Sequence, residues 1–233
     1  MLLFDLDGTL VDDRAATRKA VDTLSCEYSD TLATDEQELF AEWSVLLATY
    51  FQQYLDGRLS MQDQRRHRVK ELFGRRNVVL SETEADEVFA TYERAYERAW
   101  RCFDDVAEAL STLQGQRLAI LTNGEAGQQR RKLAATSIGH LFEAVVTSSE
   151  LGVAKPHADA FHRACEKLGV LPSECWYIGD NLEVDAAASV RAGLRGVWLN
   201  REGLIQVDPL PPGVQELVSL MDLPTLLCTR GAV

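Results

Sequence analysis

Leu2-Leu3-Phe4-Asp5-Leu6-Asp7-Gly8-Thr9-Leu10 opens the chain, and its reading decides the rest. The short apolar run predicts a buried strand, and it breaks abruptly into two carboxylates, a glycine and a threonine. Asp5 and Asp7 flank a single residue, so in an extended or just-turning chain both can lean towards one centre. Burying two acids together without a counter-charge is costly. The carboxyl ends of strands are also where open α/β sheets bind ligands. A hard divalent cation such as Mg2+ takes oxygen ligands and would relieve the repulsion. The chemistry suggested is a carboxylate nucleophile beside a carboxylic acid/base, on a metal. An isolated Asp-x-Asp-Gly reads equally well as a turn capped by its own acids, so the later stretches decide.

Composition bounds the class. The chain has 233 residues, enough for one domain with an insertion, and its 46% hydrophobic and 26% charged content is that of a globular protein. A formal net charge of −12 argues against nucleic acid and anionic membranes as partners, because both reward positive charge. It leaves room for an anionic substrate, since a metal, a lysine and backbone amides can hold phosphate locally. The five cysteines, Cys26, Cys102, Cys165, Cys175 and Cys228, are odd in number and have no C-x-x-C spacing. That disfavours a disulfide framework or structural zinc, and they are read as packing residues in a reducing compartment. The opening apolar run meets Asp5 too soon for a signal peptide, and no run approaches membrane-spanning length. A soluble cytoplasmic protein is expected.

From Asp12 to about Trp100 the pattern is helix after helix, with no convincing strand. Phe40, Trp43, Leu46, Leu47, Tyr50, Phe51 and Tyr54 form a three-four spaced stripe that reads as core. Ser81 and Glu84 spell a capping box at the start of a further helix. Arg65, Arg66, Arg68, Lys70, Arg75 and Arg76 make a basic cluster, read as a solvated face in preference to a substrate contact. Beyond that stretch, strands and helices alternate. After a helix at 106–113, Arg117–Gly124, Ala144–Thr147, Trp176–Asp180 and Gly196–Asn200 read as strands, the first with a polar end, separated by helices at 128–135, 156–168 and 183–192. This alternation implies a parallel sheet with helices on both faces. The tail, with Pro209, Pro211 and Pro212, predicts a helix near 215–221 packed at the edge. His67, His140, His157 and His162 show no metal spacing and are assigned no role.

Three later strand ends carry polar residues suited to one phosphate-and-metal site. Thr122 and Asn123 offer a hydroxyl and turn amides. Lys155 stands just before a helix N-terminus, where ammonium and helix dipole both favour a phosphoryl group. Asp180, followed by Asp185, could supply a metal ligand and a supporting carboxylate.

In order and placement these stretches resemble the haloacid dehalogenase-like hydrolase superfamily, in its helical-cap phosphatase branch. Asp5-Leu6-Asp7-Gly8-Thr9 resembles its first motif, Thr122 its second, Lys155 its third, and Gly179-Asp180 through Asp185 its fourth. The resemblance implies a Rossmann-like doubly wound core over 1–13 and 101–233, with an all-helical cap domain inserted over 14–100. It also implies a mechanism. Asp5 would attack phosphorus and carry the phosphoryl group, and Asp7 would protonate the leaving oxygen and then activate water. Mg2+ would be held by Asp5, the Asp7 backbone carbonyl and Asp180, with Asp185 supporting from nearby. Thr122, Asn123 and Lys155 would bind the phosphoryl oxygens.

Dehalogenases proper typically lack an acid at the position of Asp7, so the resemblance implies a phosphatase acting on a small phosphorylated metabolite. A phosphosugar mutase of the same fold is the alternative enzyme, and a catalytically idle binding module the alternative of another class. Leu121-Thr122-Asn123-Gly124 followed by Gln129, Arg130 and Lys132, together with the 180–185 spacing, is similar to acylneuraminate-9-phosphatases and related nucleotidase-like phosphatases. That finer similarity alone makes Arg18 and Lys132 candidate substrate contacts, against the plain reading of each as an exposed helix charge.

Overall fold

The computed structural model describes residues 1–204 and 209–230. The chain divides into two compact units, one of Asp13–Trp100 and the other of Met1–Asp12 with Arg101–Val233. The Asp13–Trp100 unit contains helices and no strand: α1 (Asp13–Glu27), α2 (Ser29–Leu32), α3 (Glu36–Leu55), α4 (Met61–Gly74) and α5 (Glu82–Arg98). Local chemistry sets their starts. The Asp35 carboxylate accepts from the Gln37 and Glu38 amides at the head of α3. Ser81 and Glu84 close a reciprocal capping box on α5. The inward faces of α1, α3, α4 and α5 meet in one core, where Leu24, Trp43, Leu72 and Ala85 are buried. The aromatic stripe is fully buried in this core only over its first half, and Tyr50 packs against it from the rim. Phe40, Trp43 and Leu46 are buried, whereas Leu47, Tyr50, Phe51 and Tyr54 are partly exposed.

The second unit is an α/β fold around six parallel strands: β1 (Leu2–Phe4), β2 (Leu118–Thr122), β3 (Ala144–Thr147), β4 (Trp176–Gly179), β5 (Arg195–Leu199) and β6 (Gln215–Leu217). The strand order is β3-β2-β1-β4-β5-β6. The three-residue β1 is therefore central, with Leu3 in register with Ala119 on one side and Tyr177 on the other. Side chains alternate across the sheet. Leu2, Phe4, Ile120 and Ile178 face the cluster built on α6 (Val106–Thr112). Leu3, Ala119, Leu121 and Tyr177 face the opposite one. Helices α7 (Ala126–Ala135), α8 (Ser148–Leu151), α9 (Ala158–Leu168), α10 (Ala188–Arg191) and α11 (Leu223–Arg230) complete the layers. With both faces covered, β1 is apolar throughout. Truncating Leu3, which is fully buried, to alanine would cost about 2–5 kcal/mol.

Two segments differ from the sequence reading. The tail forms the edge strand β6, then a short 3-10 turn and α11, in place of a helix at 215–221. Three residues are too few to show a period, and pairing to Val197–Leu199 makes the strand. The helix expected at 183–192 opens as a π-helical turn, Leu182–Ala187, before α10. Asn181 accepts from the Glu183 and Val184 amides there, and Asp185 accepts from the Asn181 amide. The cysteines are all free, and Cys26 and Cys228 are exposed, so only Cys165 and Cys175 are buried packing residues. No helix among the described residues is long and apolar enough to cross a membrane.

Candidate active site

The chain runs from β1 through β2 to β3 on one side, then resumes at β4 on the other side of β1. The carboxyl ends of β1 and β4 thus form the point where strand order reverses, the usual crevice of an open α/β sheet. Asp5 follows the first of these strands and Asp180 the second. After Asp5 the backbone folds into a tight turn, in which the Leu10 and Val11 amides donate to the Leu6 carbonyl and the Gly8 amide to Val11. Gly8 sits at φ +78°, and a Cβ there would collide with the Asp180 carboxylate. Only glycine meets both demands. Asp180 is then fixed from two directions. Thr9 Oγ1 donates to its Oδ1 at 3.1 Å, and the Trp198 indole donates to its carbonyl at 2.9 Å.

Lys155 lies at the centre of the cluster. Its buried ammonium donates to Asp185 Oδ1 and to the Tyr177 hydroxyl, each at 2.6 Å, and pairs with Asp5 Oδ1 at 3.0 Å. An ammonium has three N–H donors, and here each has an oxygen. Asn123 holds the same residue by its backbone. Its Nδ2 donates to the Lys155 carbonyl and its Oδ1 accepts from the Lys155 amide, both at 2.8 Å. The Asn123 side chain is thus committed to placing Lys155, and what it can offer an anion is its backbone N–H. Tyr177 Oη donates to the Leu121 carbonyl at 2.7 Å. The sequence reading missed Tyr177, although strand alternation puts it on the face of Leu3.

Oxygens of Asp5, Asp180 and Asp185 all lie within 4.8 Å of one another. Burial, together with Asp185, Asp180 and Asp7, pushes the Asp5 carboxyl well above its ordinary range, against the opposing pull of Lys155. Burial and the Asp185 charge raise Asp180 to about 7. For Lys155, burial favours the neutral amine, but Asp185 and Asp5 outweigh it and hold the ammonium firmly protonated. Three acids around one lysine leave excess negative charge, and every donor is a hard oxygen. This set fits a small divalent cation such as Mg2+. Asp185 is the least free of the three. Its Oδ1 meets Lys155 and its Oδ2 accepts from the Asn181 amide at 3.0 Å, which suits a supporting role outside direct ligation.

Asp7 is gripped from α7. Lys132 Nζ pairs with its Oδ1, and Gln129 Nε2 donates to its Oδ2 at 2.8 Å and to Thr122 Oγ1 at 2.9 Å. Lys132 is 1% exposed, so the exposed-charge reading fails for it, and its ammonium is engaged with an acid of the site. Arg18 lies in the helical unit, exposed, with its guanidinium 4.1 Å above the Phe40 ring. The solvated-face reading of the basic cluster fails for Arg68, and the rest of the cluster is a surface whose charges are largely paired. Arg66 pairs with Glu82 and Asp86, Arg76 with Glu42, and Arg65 with Glu93. Arg68 is buried between the Trp43 and Phe89 rings. Acids standing far away in sequence neutralise most of this run, which the local charge pattern could not reveal.

Comparison with known proteins places this geometry among relatives. The family profile described as haloacid dehalogenase-like hydrolase matches residues 1–193. Human N-acylneuraminate-9-phosphatase is 29% identical over 235 residues, covering 97% of this chain and 92% of that protein. A crystal structure of the HAD-hydrolase YfnB from Bacillus subtilis, bound to magnesium, superposes with a TM-score of 0.82 at 24% identity, covering 97% of each chain. The L-2-haloacid dehalogenase of Xanthobacter autotrophicus shares the fold with a TM-score of 0.75 at 22% identity, covering 100% of this chain and 98% of its own.

Proposed function

The chain belongs to the haloacid dehalogenase-like hydrolase family, and from that premise we propose that it is a Mg2+-dependent phosphatase acting on a small phosphomonoester. The observation that carries the reading is Asp7, a carboxyl group two residues beyond the nucleophile and held by both its oxygens. An alkoxide leaving from phosphorus needs a proton, whereas a departing halide does not. A site with this acid in place is suited to phosphate esters. Full-length similarity to a phosphatase of a sugar acid, and a partial match to the pyrimidine 5'-nucleotidase YjjG of Escherichia coli, support a sugar phosphate or nucleoside monophosphate as the substrate class.

An Asp5 carboxylate oxygen attacks phosphorus, and the bond from phosphorus to the substrate oxygen breaks as Asp7 delivers its proton to that oxygen. The Asp7 carboxylate then takes a proton from water, whose oxygen attacks the aspartyl-phosphate, releasing phosphate and regenerating both acids. Thr122 Oγ1 and the Asn123 backbone N–H are the donors for the phosphoryl oxygens, where charge builds up. The Lys155 ammonium, whose N–H groups are taken by Asp185, Tyr177 and Asp5, supplies its positive charge to them, and an N–H only if it gives up the longer Asp5 contact. Asp5, Asp180 and the Asp7 carbonyl would hold Mg2+, with Asp185 outside them. When bound, the ion neutralises charge on the transferring group.

The test is phosphate release from a panel of sugar phosphates, nucleoside monophosphates and an aryl phosphate, with Mg2+, with EDTA and with Asp5→Asn. Metal-dependent release that is lost in the variant is expected. Halide release from a 2-haloacid with no phosphate release from any ester would overturn the reading.

A further inference from the structure

Resting on the phosphatase reading, we propose that Gln129 and Lys132 are positioning residues that fix the plane of the Asp7 carboxyl for proton transfer to the leaving oxygen. The two side chains come from one face of α7, three residues apart, and each is 1% exposed. A lysine is almost never buried to this extent unless its charge is matched, and here it meets Asp7 Oδ1. The other oxygen accepts from Gln129 at 2.8 Å. The terminal torsion of an aspartate is ordinarily broad. Held at both oxygens, the carboxyl loses that freedom, and its proton is presented along one direction.

Three features of the fold support this arrangement. The Glu125 carboxylate accepts from the Gly127 and Gln128 amides, each at 2.8 Å, which sets the start of α7 and hence which residues face Asp7. Gly124 has no Cβ where one would strike the Gln129 carboxamide, so the residue after Asn123 leaves Gln129 its place. Gln129 Oε1 is buried without a hydrogen-bond partner among the described residues, while Nε2 serves both Asp7 and Thr122. The orientation that leaves one acceptor orphaned is the one that ties the acid to the phosphate-binding hydroxyl. Lys132 then acts through Asp7 and not on the substrate.

Leaving groups separate these roles. Lys132→Met and the milder Gln129→Leu would be compared with the native full chain on an alkyl phosphate, whose alkoxide needs the proton, and on 4-nitrophenyl phosphate, whose phenolate hardly does. The readout is kcat/KM, which reports the step in which the leaving oxygen departs. Each variant would also be built on Asp7→Asn. The expected result is a loss of about a hundredfold on the alkyl ester for Lys132→Met, at least tenfold less on the aryl ester, and under about threefold further loss when Asp7 is already Asn. Gln129→Leu should show the same pattern at smaller size. Equal losses on both esters, additive loss on the Asp7→Asn background, or a raised KM with kcat intact would overturn the proposal. If the native enzyme released no phosphate, the phosphatase reading itself would fall first, and if Asp7→Asn kept its rate on the alkyl ester, Asp7 would not be the acid and the proposal would fall with that role.

Discussion

Lys155 and Arg68 are both buried cations, 3% and 4% exposed, one in each unit, and their surroundings differ in kind. Lys155 is met by Asp185, Asp5 and Tyr177, and the acids keep its ammonium protonated. Among the described residues Arg68 has no carboxylate in ion-pair contact, and it feels Asp13 only as a minor, more distant charge. It lies 5.2 Å from the Trp43 ring centroid and 5.1 Å from that of Phe89, its Nε has no acceptor, and burial pushes its guanidinium down to about 10. The first cation is one member of a charge network in which two acids depend on it for their counter-charge. The second is packing material with a flat polarisable face, held by rings. Burial of a charge alone therefore does not mark a site. Acids converging on it from several strand ends do.

Lys155→Met is the strongest way to break this contrast. It leaves Asp5 and Asp185 buried together without their cation, so a loss of roughly 3–5 kcal/mol is expected in metal-free denaturant unfolding. Turnover should fall on the order of a hundred- to thousandfold. A stable, active variant would show that the network is not what keeps the acids together.

A pH series sharpens the contrast on the acid side. With its carboxyl raised from 3.8 to about 7, Asp180 binds its proton more tightly in the folded chain than in the unfolded one. Its contribution is present below the unfolded value and is lost as pH rises through about 7, so the metal-free protein should lose thermal stability between roughly pH 4 and pH 7. Mg2+ needs the ionised acids. Its stabilising shift should thus be larger at about pH 8 than at about pH 6, with apparent affinity falling about tenfold per unit below 7. A Mg2+ shift independent of pH would sink this account.

Arg68→Met should matter least. Losing two ring contacts, worth about 0.5–2 kcal/mol each, is offset by no longer burying a charge, and a net change within about 1 kcal/mol is expected by chemical denaturation. A loss above about 3 kcal/mol would put Arg68 in the same class as Lys155.

Much of this arrangement could be read from residue order. Asp5, Thr122 and Asp180 each stand where an apolar strand stops, and parallel strands bring such stops to one edge, whereas Lys155, expected at a strand end, comes from the connection between α8 and α9. What escaped were side chains whose role depends on a distant partner. In the sequence Gln129 is only part of a shared motif and Lys132 reads as a substrate contact or an exposed helix charge, and neither points to Asp7 until the fold places it beside them. Tyr177 is hidden in an apolar strand, and its hydroxyl acquires meaning only next to Lys155. Arg68 shares a sequence neighbourhood with arginines paired at the surface, and only the packing of α3, α4 and α5 assigns it to the interior. β6 is too short for a period to form, so its identity comes wholly from its neighbour.

The central position of β1 has a consequence for how the protein is made. Leu2–Phe4 leaves the ribosome ahead of both strands that flank it, and the whole Asp13–Trp100 unit is translated in the interval. The helices of that unit find their partners inside one uninterrupted stretch of chain, its first helix packing on its last, and can assemble once α5 has emerged, while translation continues. The strand bearing Asp5 must wait, apolar and unpaired, until β2 and finally β4 emerge. Nascent-chain quality control would therefore encounter this protein with Asp5 already synthesised and its sheet not yet begun.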